Sequence, residues 1–241
     1  MEKRFCPRCG NKLEKRRLEN QDRGFCAACR AAVYENPLPA QLRLRTLPGG
    51  AYVVTSNDHL QVAREACRGG ARIIQYRDKE AHSARRLDIA RQIRAVTREH
   101  GTLFVVNDQI DIAMLSEADG VHLGQEDIAI AEARSLLPPG MIIGISCSSL
   151  AQVLAAECHG ADYLGIGAVF ATPTKAEYSV VGLELLRRIA TEVSIPLVAI
   201  GGINLDNMAE VKAAGVRNVA MVREFQEDTA AKVAAINSFF N

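Results

Sequence analysis

From Ala51 onward two hydrophobic patterns alternate. Short apolar runs end in polar residues, and each is followed by a longer stretch with apolar positions every three or four residues. The runs are 51–56, 72–77, 103–108, 120–124, 141–146, 163–169, 196–202 and 218–222. The helical stretches are 58–68, 82–100, 110–116, 129–137, 150–158, 183–193, 206–214 and 229–239. Asn57-Asp58 and Asp206 supply N-cap chemistry, and Gly69-Gly70 and Gly215 punctuate helix ends. Alternation of this kind predicts a parallel α/β fold. Eight strands are the number that closes a (β/α)8 TIM barrel, which carries its site at the C-terminal ends of the strands. The rival is an open doubly wound sheet, with ligands at a single switch point. Polar clusters follow at least five of the runs, which favours the closed ring.

The chain ahead of the barrel is different in kind. Cys6-x2-Cys9 and Cys26-x2-Cys29 are separated by 16 residues, the spacing of a four-cysteine zinc site. A segment this short has too small a core to fold without metal. The domain reading is therefore a zinc ribbon over 1–37, a linker over 38–50 and a barrel over 51–241. The linker is rich in proline and glycine and has room for a short strand at 42–47. The other cysteines, Cys67, Cys147 and Cys158, sit among apolar neighbours and read as reduced core thiols.

Composition adds limits. The chain has 241 residues, 48% hydrophobic and 24% charged. No apolar run approaches the roughly 20 residues that span a bilayer. The N-terminus carries no apolar signal core, so the expectation is a cytoplasmic protein without membrane contact. The net charge of +1 is unevenly divided: residues 1–50 hold 11 Lys/Arg against 5 Asp/Glu, and residues 51–241 hold 18 against 23. Four thiolates on one zinc would lower the first segment from +6 to about +4. That mild excess is a weak hint of nucleic acid, which keeps a ribbon-led adaptor as an alternative.

The chemistry lies in the clusters that close the runs. Gln75, Arg77 and Lys79 are two apart, so on extended chain they share one face, and a guanidinium beside an ammonium suits a polyanion. Asn107-Asp108 and His122-Leu123-Gly124-Gln125-x-Asp127 follow on adjacent strands. Two aspartates at neighbouring strand ends meet the demand of Mg²⁺, which takes one or two carboxylates and fills its shell with water and phosphate oxygens. Either aspartate alone also reads as a helix cap, and His122 also reads as a packed barrel histidine. Ser146 ends the fifth run, Thr172, Thr174 and Lys175 follow the sixth, and Gly201-Gly202 ends the seventh, where backbone N–H groups can approach a phosphate.

Residues 51–241 resemble the thiamine phosphate synthase family. The resemblance rests on these clusters in order, together with Asp119-Gly120-Val121, Ala161-Asp162-Tyr163-x-Gly165-x-Gly167 and Ala199-Ile200-Gly201-Gly202-Ile203. It implies a barrel transferase that joins hydroxymethylpyrimidine diphosphate to thiazole phosphate and releases pyrophosphate. It further implies that Gln75, Arg77, Lys79, Asn107, Ser146 and Lys175 hold the pyrimidine diphosphate, with Arg77, Lys79 and Lys175 stabilising the leaving group. Asp108 and Asp127 would hold Mg²⁺. Thr172, Thr174, Gly202, Val222 and Arg223 would lie at the thiazole phosphate. The partners expected are small phosphorylated heterocycles and not nucleic acid, with self-association left open.

Several positions depart from the family. Ser148 stands where it usually has histidine, Ala168 where it prefers proline, and Arg223-Glu224-Phe225 where a small phosphate-binding turn is usual. The first strand has Thr55-Ser56-Asn57 and lacks the usual aspartate. A diverged barrel of the same family is thus the nearest alternative. One form is a thiazole tautomerase, whose histidine would fall at Ser148. The N-terminal segment is similar to the ribbon that precedes some Nudix hydrolases, although no Nudix box follows it.

Overall fold

A computed structural model describes residue 12 and residues 14–18, 21–26, 31–33, 39–172 and 180–241. The first of these segments form an antiparallel sheet, β1 (Glu14–Leu18), β2 (Gln21–Cys26) and β3 (Ala31–Val33), in the order β1-β2-β3. Cys26 is the last residue of β2. Cys6, Cys9 and Cys29 lie outside the described residues, as do Thr174 and Lys175.

Eight parallel strands close a barrel in chain order. They are β4 (Gly50–Thr55), β5 (Ile73–Tyr76), β6 (Leu103–Asn107), β7 (Gly120–Leu123), β8 (Ile142–Cys147), β9 (Tyr163–Ile166), β10 (Leu197–Ile200) and β11 (Asn218–Met221). The ring closes where Ala220 registers with Tyr52. Helices α2 (His59–Arg68), α3 (Ser83–His100), α4 (Ile110–Leu115), α5 (Ile130–Leu136), α6 (Leu150–Cys158), α7 (Gly182–Glu192), α8 (Met208–Ala213) and α9 (Thr229–Phe240) lie between and after the strands. Period-two alternation splits each strand between two cores. Ile74, Tyr76, Phe104, Val106 and Val121 pack outward against the helices. Tyr52, Val54, Ile73, Leu103, Val105, Ile142 and Tyr163 fill the barrel. Buried Asn237 of α9 clips the first strand in place by accepting from Ala51 N (3.0 Å) and donating to Gly70 O (2.8 Å).

The stretch expected to be a linker with a short strand contains a helix, α1 (Pro39–Thr46). Ala40, Leu44 and Leu47 face the barrel interior, and Leu44 is 5% exposed. The alternation Leu42-Arg43-Leu44-Arg45 imitates a strand, but the i, i+4, i+7 spacing of Ala40, Leu44 and Leu47 is helical, and burial selects it. Gln41 donates to Asp162 (3.1 Å) and Arg43 lies 4.0 Å from Asp119, both residues preceding strands, so α1 closes the floor of the barrel.

The two aspartates are part of a repeated device. Asp119 accepts a fork from Arg94 (2.8 and 3.2 Å) and the N–H of Phe104 (2.9 Å). Two strands on, Asp162 accepts from Arg134 (2.6 Å) and Ile143 N (2.9 Å). Each carboxylate ties a helix to the start of the strand before its own.

Three smaller expectations need correction. Asp58 precedes α2 in the left-handed region (φ 41°) and makes no side-chain cap. The turn before α8 is held by Asn204, which accepts from the N–H groups of Asp206 (2.9 Å) and Asn207 (3.1 Å), because its shorter register suits an Asx turn. Cys67 and Cys147 are buried, but Cys158 is exposed at the end of α6, where the apolar spacing has already turned away from the sheet.

Candidate functional site

Strand β5 sets the first half of the rim. Ile73 and Gln75 point into the barrel while Ile74 and Tyr76 point outward, so continuing the alternation sends Arg77 and Lys79 to the mouth and Asp78 to the outer side. Asp108 follows β6 in the left-handed region (φ 60°), its N–H bonded to His122 O (2.8 Å). Asp127 folds back on its loop, accepting from Gly124 N (2.7 Å). The two carboxyls meet. Burial first, then the Asp127 charge and a hydrogen bond shared with it, push the Asp108 carboxyl above the usual range, while Lys79 and Arg77 pull it down. The structure thus brings Arg77, Lys79, Asp108 and Asp127 to one place.

A buried polar chain runs beneath this rim. Gln75 Nε2 donates to the Tyr52 hydroxyl (2.8 Å), and Tyr52 and Tyr163 join through their hydroxyls (2.8 Å). Tyr163 meets His122 Nδ1 (2.9 Å), and His122 Nε2 meets Ser146 Oγ (2.9 Å). The Gln75 nitrogen can only donate, and an arrangement that gives every hydroxyl hydrogen a partner has Tyr52 donating to Tyr163 and Tyr163 to His122 Nδ1. His122 Nε2–H then donates to Ser146, which presents its own O–H. Burial holds both tyrosines well above their ordinary pKa, so both remain donors. Gly144 makes room for this chain, since a methyl there would overlap the Tyr163 ring. Tyr52 and Tyr163 were not among the expected site residues. Their signal was a tyrosine at an inward strand position, because a buried hydroxyl needs a partner.

Asn107 ends β6 beside Asp108 and registers with His122. The Ser146 carbonyl accepts from Gln125 Nε2 (2.7 Å). Ser148, at the position of the tautomerase histidine, is bound through its N–H and hydroxyl to Gln152 (2.8 and 3.1 Å). Burial pushes the Cys147 thiol up to about 12, so it stays protonated and is not a nucleophile.

The loops after β9 and β10 interlock. Val169 N donates to Ile200 O (2.9 Å) and Phe170 N to Gly201 O (3.0 Å). Gly201 and Gly202 both have positive φ (95° and 67°), and a Cβ on Gly202 would lie 2.8 Å from the Phe170 and Ala171 carbonyl oxygens. Only glycine keeps this loop close. Thr172 is half-buried next to it.

Val222 faces the interior cluster, while Arg223 is exposed at the start of a short 3-10 helix (Arg223–Gln226). Glu224 is turned back to Lys232 (3.5 Å). A cavity of about 500 Å³ beside Val222 is lined by Asp58, Glu65 and Asp228 with no lysine or arginine. Its charge disfavours an anion.

The family profile described as thiamine monophosphate synthase matches residues 51–225. The chain belongs to that family. Among its relatives, the thiamine-phosphate synthase of Methanospirillum hungatei JF-1 is 45% identical over 180 residues, 72% of this chain and 87% of that one. The Synechocystis thiamine-phosphate synthase is 42% identical over 209 residues, 85% of this chain but 61% of that longer protein. The structure of a thiamine phosphate pyrophosphorylase from Pyrococcus furiosus superposes with a TM-score of 0.75 at 41% identity, covering 83% of this chain and 97% of that one. A geranylgeranylglyceryl phosphate synthase from Thermoplasma acidophilum, at 14% identity and TM-score 0.60, shares the barrel alone. Among the described residues, no helix is long and apolar enough to cross a membrane.

The residues present fit the Mg²⁺ of a synthase of this family. Two carboxylates are held together against their mutual repulsion, in an oxygen-only donor set with cations behind them. A divalent ion held there would relieve that repulsion.

Proposed function

We propose that this chain joins hydroxymethylpyrimidine diphosphate to thiazole phosphate, forming thiamine phosphate and pyrophosphate. The observation that carries the reading is the meeting of Asp108, Asp127, Arg77 and Lys79 at one rim of a barrel in this family. Arg77, Lys79 and Lys175 bind the diphosphate, joined by Asn107 and the Ser146 hydroxyl. Asp108 and Asp127 would hold Mg²⁺, which when bound supplies positive charge against the leaving oxygens. The polar chain from Gln75 to Ser146 forms the floor on which the pyrimidine is oriented. Thr172, Thr174 and the N–H groups at Gly202 seat the thiazole phosphate, with Val222 beneath it and Arg223 reaching from the edge. Catalysis then consists of holding two partners in line and stabilising a departing anion, with no strong base required.

Purified protein given Mg²⁺ and both phosphorylated heterocycles is expected to release thiamine phosphate and pyrophosphate in equal amounts. Omitting the metal should slow turnover by at least about 100-fold. Folded protein that forms no product would move the assignment to a diverged barrel.

The four cysteines are read as one structural zinc site. The support is their spacing, with Cys26 ending β2 and Cys29 falling between β2 and β3 in sequence. Metal analysis should find stoichiometric zinc that is lost in Cys9→Ser, while the melting of the barrel is unchanged. An absence of zinc from protein purified without chelator would remove the site.

A further inference from the structure

We propose that His59 is a positioning residue for the diphosphate cations, holding segment 77–79 in place through Asp78. This rests on the reading of Arg77 and Lys79 as diphosphate ligands.

His59 is the first residue of α2, behind β4 and beside β5. Its Nδ1 lies 2.8 Å from Thr55 Oγ1 and its Nε2 lies 3.4 Å from Asp78 Oδ2. Its ring meets Tyr76 edge to face at 4.9 Å. The Tyr76 hydroxyl donates to the same Asp78 oxygen (3.2 Å), and the other oxygen accepts from the N–H groups of Glu80 and Ala81 (3.0 Å each). Thr55, which is fully buried, accepts from Arg77 N (3.4 Å). The His59 and Asp78 side chains are 12% and 11% exposed.

The hydrogens in this cluster have one consistent arrangement. Burial would raise the Asp78 carboxyl, but the N–H groups of Ala81 and Glu80 and the Tyr76 hydroxyl outweigh it and hold it below the usual range. An ionised Asp78 only accepts, so Nε2 of His59 carries the hydrogen. Burial lowers the imidazole pKa despite the nearby Asp78 charge, so the ring is neutral and Nδ1 accepts from Thr55. Thr55 in turn accepts from Arg77. Asp78 lies between two cations that face the mouth while it faces outward. Fixing it from behind fixes where both cations point, and displacements of an ångström at such groups are costly.

The test is calorimetric titration of pyrophosphate in the presence of Mg²⁺, which does not depend on turnover, with Arg77→Ala as the reference for a lost cation. His59→Ala is expected to weaken pyrophosphate binding roughly tenfold, with thiazole phosphate binding changed less than about twofold. His59→Gln, which keeps a donor and an acceptor, should recover most of the loss. Tyr76→Phe removes a single donor to Asp78 and should weaken pyrophosphate binding in the same selective way. It carries the test should His59→Ala fail to fold. Wild-type affinity in both folded variants, or an equal loss for both ligands, would overturn the proposal. So would wild-type protein that does not bind pyrophosphate. Wild-type protein that binds pyrophosphate but makes no thiamine phosphate would instead overturn the assigned reaction and leave the His59 comparison readable.

Discussion

Asp108→Asn is expected to slow turnover sharply and, in metal-free protein, to raise the melting temperature. Loss of one of two metal carboxylates should reduce the rate by roughly 10³-fold, equivalent to about 4 kcal/mol of leaving-group stabilisation. The gain in stability has a separate cause. Burial and the Asp127 charge raise the Asp108 carboxyl, so the folded protein binds this proton more tightly than the unfolded chain does. At low pH both states are protonated and nothing is lost. As pH rises past the ordinary aspartate value of about 4 and through the raised one, the folded state alone bears the repulsion. Asparagine removes it. Screening at this half-buried pair keeps the gain to about 1 kcal/mol or less, which is at most about 2–4 °C for a chain of this size. The left-handed backbone at Asp108 (φ 60°) makes asparagine the clean replacement, since alanine would add strain of its own. Saturating Mg²⁺ should reverse the order, because wild type alone gains from binding. Melting curves with chelator and with metal, across pH 4 to 8, check this. A variant that melts below wild type in chelator at neutral pH would show that Asp108 is a structural residue.

Asp119→Ala should be the most destabilising single change, costing about 3–5 kcal/mol, the usual loss when one member of a buried ion pair is removed. It leaves Arg94 without its carboxylate and the Phe104 N–H without its acceptor, and Arg94 Nε is already unpartnered among the described residues. It also removes the charge opposite Arg43, loosening α1. Asp119 lies at the floor, so kinetic constants of the protein that remains folded should match wild type. Urea unfolding and an assay well below the melting temperature test both halves. A loss under about 1 kcal/mol, or altered constants with normal stability, would contradict it. Asn at this position keeps an acceptor for Phe104 and should cost less.

The barrel was legible because its parallel strands, buried on both faces, read as unbroken apolar runs that stop at polar residues. The rim was legible for the same reason: Arg77, Lys79, Asp108 and Asp127 stand where hydrophobicity ends. The floor was not, because 42–47 fits a period of two and a period of 3.6 equally well, and only the open end of the barrel decides between them. The interior chain was hidden in another way. Tyr52 and Tyr163 look like core residues from the sequence, and their hydroxyl partners are brought together by strand register that no local pattern encodes. His59 gave no signal at all, since its partners lie on two other elements.

Helix α1 gives the barrel two unlike poles. The polar clusters gather at the pole where the strands finish, whereas the polypeptide enters the barrel at the pole that α1 stoppers. Pro39, where α1 begins, belongs to the stoppered pole, at the end opposite the strand termini.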